Sequence, residues 1–480
     1  MKQVREKFKG LVAVGLITAW VSCKAPQKIT DSDMRTLPNT IGSAGKGDTV
    51  SASVLRRTIF YQSAHLNALI DTVLAHNYDL KMATERIRLA GAIVNQSRGL
   101  LYPQVNGQLI PSIRRFGLYT MDGAGNIVTE MEPGKLVPIN LPDVYIGAQA
   151  SWEADLWGKL RSRKKAALSR FYAGTEAKQL VATALVAETA MAYYELLAYD
   201  QELRLLDETI RLQQEALDMV RIQKETAVTN ELAVQQFEVQ LLDQQSLRLE
   251  IEQLITDTES RINLLAGRYQ QRIPRDSSFF TEYSLPNLQS GISAAQLFSR
   301  PDIRQAEYEL GAADADIDAA RAAFFPSLLM AGGVGLQGYR LDLLFRLPES
   351  IAYSLIGGLS GPLINRNQIK GEYEKSASLR QEALWNYRKT VTQAFLETNA
   401  ELKRVENLQK IFDMKKREAE IISRSVSVSS ELFRYGRANY VEVLLARQHA
   451  LRVNIELINT RKNQFLAAIR LYRVLGGGRE

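Results

Sequence analysis

Few side chains in this sequence are placed where they could do covalent or metal chemistry. The three histidines, His65, His76 and His449, lie far apart along the chain, so neither a zinc site nor a histidine-based catalytic centre is expected. A single cysteine excludes an internal disulfide. We therefore expect no catalytic residue, no metal site and no cofactor.

Two other motifs contain residue types that bind ions or phosphates. Asp314, Asp316 and Asp318 form a carboxylate cluster, but on a helix the middle residue points away from the other two, and no glycine-rich calcium loop accompanies them. Residues 332–335 are glycine-rich but lack the helix opening and the lysine of a phosphate loop. We interpret the aspartates as a solvated helix face and the glycines as part of a strand that needs small residues.

Composition narrows the class of protein. The 480 residues are 46% hydrophobic and 24% charged, which is typical neither of a disordered chain nor of a polytopic helical membrane protein. The formal net charge is +7, and part of it lies in the first ten residues. The remaining excess is too small to indicate nucleic-acid binding.

The N-terminus has the features of a secretion signal. A basic segment, 2–9, precedes an apolar run of 11 residues, 11–21, and a membrane-spanning helix would need about 20. The run ends at Ser22-Cys23, and a small residue followed by cysteine resembles a bacterial lipobox, in which the cysteine is acylated. The sequence predicts a lipoprotein signal peptide over 1–22 and a lipid anchor at Cys23, with an ordinary signal peptide as the alternative.

The sequence contains an internal repeat. Residues 79–83 match 302–306, and each match is followed at the same distance by a proline behind an aromatic residue, Pro103 and Pro326, at an offset of 223. Residues 263–268 match 474–479 at an offset of 211. The predicted boundaries are 1–22 for the signal peptide, 23–62 for an N-terminal extended segment, 63–268 for the first repeat, 269–294 for a linker and 295–479 for the second repeat.

Each repeat has the same order of elements. A helix leads to two strands with period-two alternation, and a long helical hairpin follows. The strands are predicted near 103–114, 143–153, 326–338 and 350–361, and the hairpins over 159–265 and 371–475. One face of the strands is apolar and the other carries Gln, Asn, Ser and Gly. This alternation is typical of transmembrane β-barrels, and an antiparallel sheet with one solvated face is the alternative.

Four strands per chain are too few to enclose a lumen, since the smallest membrane barrels have about 8. If the strands span a membrane, several chains must share one barrel, and three copies would supply 12 strands. Apolar residues at heptad spacing over 196–220 and 444–472 favour coiled-coil packing of the helices in a rod or tube.

Three segments resemble the outer membrane efflux protein family, the TolC-like and OprM-like channels. Residues 152–160 (WEADLWGKL) look like the family segment between the second strand and the long helix. Residues 362–365 (PLIN) look like its second-half counterpart, and 435–444 (YGRANYVEVL) look like the turn of the second hairpin. Together with Cys23, the resemblance covers nearly the whole mature chain and favours the lipoprotein branch that serves RND-type pumps.

The resemblance implies an α+β fold class: a trimeric 12-stranded outer-membrane β-barrel continued by a long periplasmic α-helical barrel, built from two tandem repeats. The implied function is the outer-membrane channel of a tripartite efflux system in a Gram-negative bacterium, a passive duct for drugs or other small toxic compounds. Implied partners are two further copies of the chain, a periplasmic adaptor (membrane fusion) protein, an inner-membrane RND-type pump and outer-membrane lipid, with no nucleic acid and no enzymatic activity. A type I secretion channel and a structural coiled-coil lipoprotein are the alternatives.

The resemblance also implies a periplasmic gate. Val441 matches the apolar ring that closes the family's tube, and Glu442 matches an acidic position. Leu445 stands where the family usually has Asp, so we expect a more apolar constriction. Three copies of Glu442 would bring like charges together and favour opening or cation binding, with a solvated helix residue as the alternative.

Contact with the adaptor is expected at the hairpin tips. The residues concerned are Tyr435, Gly436, Arg437, Asn439 and Tyr440 in the second hairpin and Glu225 and Asn230 in the first. At an offset of 211, Glu225 is the counterpart of Gly436, so the first tip is predicted to turn without a glycine.

Overall fold

The computed structural model describes residues 40–41, 57–276, 280, 292–293, 297–361 and 367–477. Cys23 and the segment 362–365 lie outside the described residues. The chain divides into two compact units, which we call the sheet unit and the helical unit. The sheet unit draws on 89–171 and 308–384, and the helical unit on 34–88, 172–307 and 385–480.

Long helices contain most of the described residues. In chain order the helices are α1 (Arg57–Phe60), α2 (Ala64–His76), α3 (Tyr78–Gly99), α4 (Met121–Asn126), α5 (Lys159–Glu225), α6 (Glu231–Leu265), α7 (Pro301–Ala322), α8 (Leu341–Leu344), α9 (Asn367–Arg434) and α10 (Tyr440–Val474). The repeat is visible in their lengths, because α3 and α7 both have 22 residues and α6 and α10 both have 35.

Four long strands account for most of the β structure. In chain order the strands are β1 (Thr40–Ile41), β2 (Gln104–Arg114), β3 (Glu130–Glu132), β4 (Lys135–Leu136), β5 (Leu141–Ala154), β6 (Ile292–Ser293), β7 (Ser327–Gly338) and β8 (Ile351–Ser360). β2, β5, β7 and β8 coincide with the four predicted strands. Their lengths of 11, 14, 12 and 10 residues meet the 9–11 that a tilted transmembrane strand needs.

The sheet unit is built on one antiparallel sheet with the strand order β2-β5-β7-β8. The ladders align Val105 with Ala150, Ala150 with Gly332, and Gly332 with Leu355, so these residues share one face. That face is the apolar face predicted from the alternation. Its side chains are exposed in the single chain: Ile113 is 71% and Leu355 86% exposed. Soluble proteins rarely expose an apolar face of this size to water, whereas membrane lipid would cover it.

The helical unit has an aromatic and aliphatic core. Tyr194 of α5 and Phe465 of α10 stack with ring centroids 4.3 Å apart, and Leu196 and Leu197 beside them are completely buried. The return helix of the second hairpin therefore packs on the outgoing helix of the first. Within α5, an 18-residue window with a mean hydropathy of 1.3 is long and apolar enough for a membrane span, but it is 61% buried and contributes to this core.

The predicted linker is attached to the helical core where the structure describes it. Arg275 donates to Asp200, with 2.6 Å between Nε and Oδ2, and also bonds Glu259. Burial alone would lower the pKa of Arg275, but the bonds to the two carboxylates raise it overall. Ile273 and Phe280 are buried in the same core.

Two segments have more helix than the sequence predicts. α1 lies in the segment predicted to be extended, because Phe60 stacks on Tyr472 with ring centroids 4.3 Å apart and anchors it to the core. α4 lies in the glycine-rich loop between β2 and β5. Its start is capped by Thr120, whose Oγ1 accepts a hydrogen bond from the Gly123 amide at 3.1 Å.

Candidate functional site

The polar face of the four-stranded sheet is uncharged in its middle. One row across the sheet aligns Asn106, Gln149, Gly333 and Ser354. Uncharged polar side chains of this kind bind a passing solute weakly and do not distinguish anions from cations. Such a face suits the wall of a water-filled passage rather than a binding site.

A tyrosine lies over glycines on this polar face. A Cβ built on Gly335 would be 2.8 Å from Tyr145 Cε2, and one on Gly147 would be 2.6 Å from the Tyr145 hydroxyl oxygen. A side chain at either position would displace the ring or separate β5 from β7. This contact gives a reason for the small residues expected at 332–335. The sequence did not predict the contact of Tyr145 with Gly335, because the two residues are 190 positions apart along the chain.

Charged side chains occur only towards the two ends of the described polar face, and each is paired. At one end, Asp143 accepts from Arg114 Nη2 at 2.5 Å and from Gln337 Nε2 at 2.8 Å. At the other end, Glu153 pairs with Lys159 and accepts from the Ser327 hydroxyl at 2.7 Å. The described strands therefore present no unpaired charge on the polar face.

The two loops at the β2–β5 and β7–β8 ends are joined to each other. Glu132 accepts a hydrogen bond from the Tyr339 hydroxyl and pairs with Lys135 at 2.9 Å. The bond from Tyr339 and the nearby Lys135 lower the pKa of Glu132 below its ordinary value. Arg340 binds Asp342, with 2.5 Å between Nη2 and Oδ2. This network fixes both loops at one end of the sheet.

Both hairpin tips have the same backbone turn, and its position corrects the prediction of which residues in the two repeats are equivalent. In the first tip, Ala227 has φ of 56° and the Val228 amide donates to the Gln223 carbonyl at 2.9 Å. In the second, Gly436 has φ of 67° and the Arg437 amide donates to the Leu432 carbonyl at 2.8 Å. Both are Schellman C-caps.

The counterpart of Gly436 is therefore Ala227, at an offset of 209, and the predicted pairing with Glu225 was wrong. The same offset relates Asn230 to Asn439, which cap α6 and α10, and relates Gly267 to Gly476, both with positive φ. The offset of 211 was taken from the similarity between residues 263–268 and 474–479. That similarity does not identify the residue of each tip that must adopt a left-handed conformation, so the offset was wrong by two residues.

The predicted tip residues lie at the ends of the two hairpins. Those of the second tip are Tyr435, Gly436, Arg437 and Asn439, which are exposed, and Tyr440, which is half-buried; Glu225 and Asn230 of the first tip are exposed. Lys224 and Glu231 form an ion pair across the first tip. The asparagines also have a local role as helix caps: Asn230 Oδ1 accepts from the Ala233 amide at 3.1 Å.

Two of the predicted gate residues, Glu442 and Leu445, are on the uncovered side of α10, and Val441 lies at the edge of that side. Val441 is half-buried, whereas Glu442 and Leu445 are exposed and share a helix face with His449. Leu444, on the opposite side, is buried in a cluster with Leu217, Val234 and Phe237 of the first hairpin. The packing of Leu444 thus fixes which side of α10 is left uncovered.

Arg447 secures the same helix against the first hairpin. Its Nη1 donates to the Leu212 carbonyl oxygen at 3.1 Å, and burial lowers its pKa from the ordinary value despite the attraction of Glu215. Sequence reasoning did not find Arg447, because neither its type nor its spacing distinguishes it from other helical arginines.

The carboxylate cluster of α7 is half-buried, and two of its three aspartates form ion pairs, which corrects the interpretation as a solvated face. Asp314 binds Arg380 with 2.6 Å between Oδ1 and Nε, and Asp316 binds Arg170. No group of three or more His, Cys, Asp or Glu side chains able to hold a metal ion occurs in the described part of the chain.

The model of the family described as "Outer membrane efflux protein" matches residues 69–268 and 293–477, one match to each repeat. The chain belongs to the outer membrane efflux protein family. It is an outer-membrane efflux channel of a Gram-negative bacterium, as the sequence predicted.

Relatives and solved structures agree with this assignment. The probable outer membrane lipoprotein SilC of Salmonella typhimurium is 28% identical over 425 residues, 87% of each chain. The toluene efflux pump outer membrane protein TtgI of Pseudomonas putida is 26% identical over 90% of each chain. The crystal structure of CusC superposes with a TM-score of 0.79 at 24% identity, covering 95% of this chain and 99% of that one. The outer-membrane channel OprN superposes with a TM-score of 0.81 at 21% identity, covering 94% and 99%. The predicted TolC-like fold of helices and strands, with two tandem repeats, is confirmed.

Proposed function

We propose that three copies of this chain close a single 12-stranded barrel. The support comes from the two outer strands of the sheet: β2 pairs only with β5, and β8 only with β7, among the described residues. Unpaired backbone groups at a strand edge are too costly in lipid, so each edge requires a partner strand. Pairing β8 of one chain with β2 of the next satisfies both edges. The exposed apolar face argues against the alternative of a soluble sheet in a structural lipoprotein.

The channel then acts as the passive duct of a tripartite system. Its hairpin tips meet a periplasmic adaptor protein, an RND-type pump in the inner membrane supplies the energy, and this chain catalyses no reaction. The exposed tip residues Tyr435, Arg437 and Glu225 are the groups available for the adaptor. Attachment of lipid at Cys23 holds each copy at the membrane.

The gate of this duct is formed by the uncovered side of α10. In a closed trimer, Val441 and Leu445 of three chains would form an apolar constriction, and Glu442 an acidic ring. The exposure of Leu445 in the single chain, at 57%, supports this role, since a leucine at that position has no partner in its own protomer's core.

The relatives do not identify the cargo of this channel, because they are named for the export of different compounds. CusC of Escherichia coli is named as a cation efflux protein, TtgI as a toluene efflux protein and OpmQ of Pseudomonas putida as a pyoverdine export protein, at 27%, 26% and 26% identity. We propose drugs or other small toxic compounds as the cargo. Deleting the gene and measuring susceptibility to drugs, dyes, bile salts, silver and copper tests this.

Planar-bilayer recording tests the duct and its gate. The purified protein should form channels, and Leu445→Ser should raise the single-channel conductance about 2-fold or more, because a polar residue hydrates an apolar constriction. Leu249→Ser, at another exposed helical position, is the control and should leave conductance unchanged. A wild-type protein that never conducts would contradict the duct, and equal effects of the two variants would contradict the gate.

A further inference from the structure

The end of the sheet that continues into the helices carries a belt of aromatic side chains. Trp157 stacks on Phe325 with ring centroids 4.8 Å apart and donates from Nε1 to the Pro326 carbonyl oxygen at 2.8 Å, yet it is 52% exposed. Trp152 donates to the Leu101 carbonyl oxygen at 3.1 Å. Amphipathic rings of this kind lie at the boundary between hydrocarbon and headgroups, so the belt marks the periplasmic surface of the membrane.

A group of basic residues follows the aromatic belt directly along the chain. Lys159, Arg161, Arg163, Lys164 and Lys165 all lie within the first two turns of α5. At 1.5 Å per residue the last of them is about 9 Å along the helix from the first, which is close to one Debye length at physiological salt. All five are therefore near enough to a membrane surface at the belt to interact with its charges.

Two of these cations are neutralised within the protein and three are not. Lys159 pairs with Glu153, and Arg161 pairs with Asp155 at 3.1 Å. Arg163, Lys164 and Lys165 form no ion pair with any residue that the structure describes. Glu153 attracts Arg163 at longer range but is already bonded to Lys159. We call Arg163, Lys164 and Lys165 the basic collar.

The opposite end of the sheet has no comparable group. There the loop cations Lys135 and Arg340 pair with Glu132 and Asp342. The two other loop cations, Arg115 and Arg346, are outnumbered by Asp122, Glu130 and Glu349 of the same loops. Excess positive charge is thus confined to the end that meets the periplasmic leaflet, which in the outer membrane consists of phospholipid.

From this placement we propose that the basic collar binds the headgroups of anionic phospholipids in the periplasmic leaflet. The aromatic belt inserts at the depth of the headgroups and the collar pairs with their phosphates, which fixes the height of the barrel in the membrane. The inference goes beyond the duct function and depends only on the sheet lying in the outer membrane. The attraction of Lys and Arg to an anionic surface increases with the number of such residues, so three of them can select for negatively charged lipid.

Quenching of tryptophan fluorescence by brominated lipids tests the proposal. The purified mature protein, which begins at Cys23 and so has lost Trp20 with the signal peptide, carries Trp385→Phe so that Trp152 and Trp157 are its only tryptophans. It is titrated in detergent with brominated phosphatidylglycerol or brominated phosphatidylcholine. We expect wild type to bind the anionic lipid about 10-fold more tightly, and Arg163→Gln/Lys164→Gln/Lys165→Gln to reduce this preference to less than about 2-fold. High salt should reduce the wild-type preference in the same way.

The matched control removes the same charge elsewhere. Lys416→Gln/Arg417→Gln/Arg424→Gln changes three exposed cations of α9 in the helical unit and should keep the full preference. If the collar variant does not assemble, Lys165→Gln alone should still weaken the preference. No lipid preference in wild type, or an unchanged preference in the collar variant, would overturn the proposal. Conductance of the same samples is recorded separately, so a failure of the duct is distinguished from a failure of lipid binding.

Discussion

At the scale of single residues, the two hairpin tips place different amino acids at the same left-handed position of the turn. Ala227 and Gly436 occupy the same left-handed position, with φ of 56° and 67°. A left-handed conformation costs a residue with a Cβ roughly 1–2 kcal/mol, whereas glycine adopts it freely. The first tip therefore stores strain that the second does not.

Exchanging these residues should have opposite effects. Ala227→Gly should stabilise the first tip by about 1 kcal/mol, and Gly436→Ala should destabilise the second by about as much. Hydrogen–deuterium exchange of the tip amides measures both, with faster exchange expected only for Gly436→Ala. Slower exchange in Gly436→Ala, or faster exchange in Ala227→Gly, would contradict the assignment of the turns.

A buried carboxyl makes stability depend on pH. Glu202 is 4% exposed, and burial raises its pKa, although Lys462 and a hydrogen bond from Asn459 Nδ2 at 2.8 Å act in the other direction. The native state then binds a proton more tightly than the unfolded chain. Stability contributed by this group is lost as pH rises from the ordinary glutamate range through the raised native pKa.

Removing the charge should remove that loss. Glu202→Gln keeps an acceptor for Asn459 and is neutral at every pH. At pH 8 wild type must bury a charged carboxylate and the variant need not, whereas at pH 4 neither buries a full charge. The melting temperature of the variant minus that of wild type should therefore be larger at pH 8 than at pH 4. Glu250→Gln, at an exposed position of α6, serves as the control. A difference that does not change with pH in Glu202→Gln would show that Glu202 is not protonated preferentially in the native state.

At the scale of elements, the sheet combines regular alternation with one local close approach. β5 and β7 meet where Gly147 faces Gly335, under the ring of Tyr145. A Cβ on Gly335 would lie 2.5 Å from the Ile146 carbonyl oxygen, so no side chain fits without separating the strands.

Gly335→Ala should therefore destabilise the sheet by about 1–3 kcal/mol. The temperature at which the β signal is lost in SDS measures this. Gly357→Ala is the matched control on β8, because nothing lies within 4 Å of the added Cβ. Equal losses in both variants would mean that backbone entropy, and not the close approach, sets the effect.

At the scale of the whole molecule, two features hold the channel in the membrane: the strands and the proposed lipid on Cys23. The paired backbone and the apolar faces of the four strands place the chain in the hydrocarbon region, so the strands are expected to hold the protein in the membrane without the acyl chains.

Cys23→Ser should abolish palmitate labelling and sensitivity to globomycin. The variant should stay in the membrane fraction after a high-salt wash, since the strands still insert. Thr30→Ser, which keeps the cysteine, should label like wild type. Labelling of Cys23→Ser equal to wild type would contradict the lipobox, and release of the variant in soluble form would contradict insertion by the strands.

The sequence by itself determined the four strands, their two faces and the order of the helices. These features depend on local periodicities: side chains alternate strictly along a strand and recur every three to four residues along a helix. The register from Val105 through Ala150 and Gly332 to Leu355 places apolar residues on the face that the alternation predicted.

Only the tertiary structure decided the correspondence of Ala227 with Gly436, the attachment of Arg275 to the helical core, and the contact of Tyr145 with Gly335. Each depends on a backbone angle or on partners far apart in sequence. A left-handed alanine has no signature in composition, because most alanines are helical. Side chains that meet across strands are brought together by the register, which no single segment of the chain specifies.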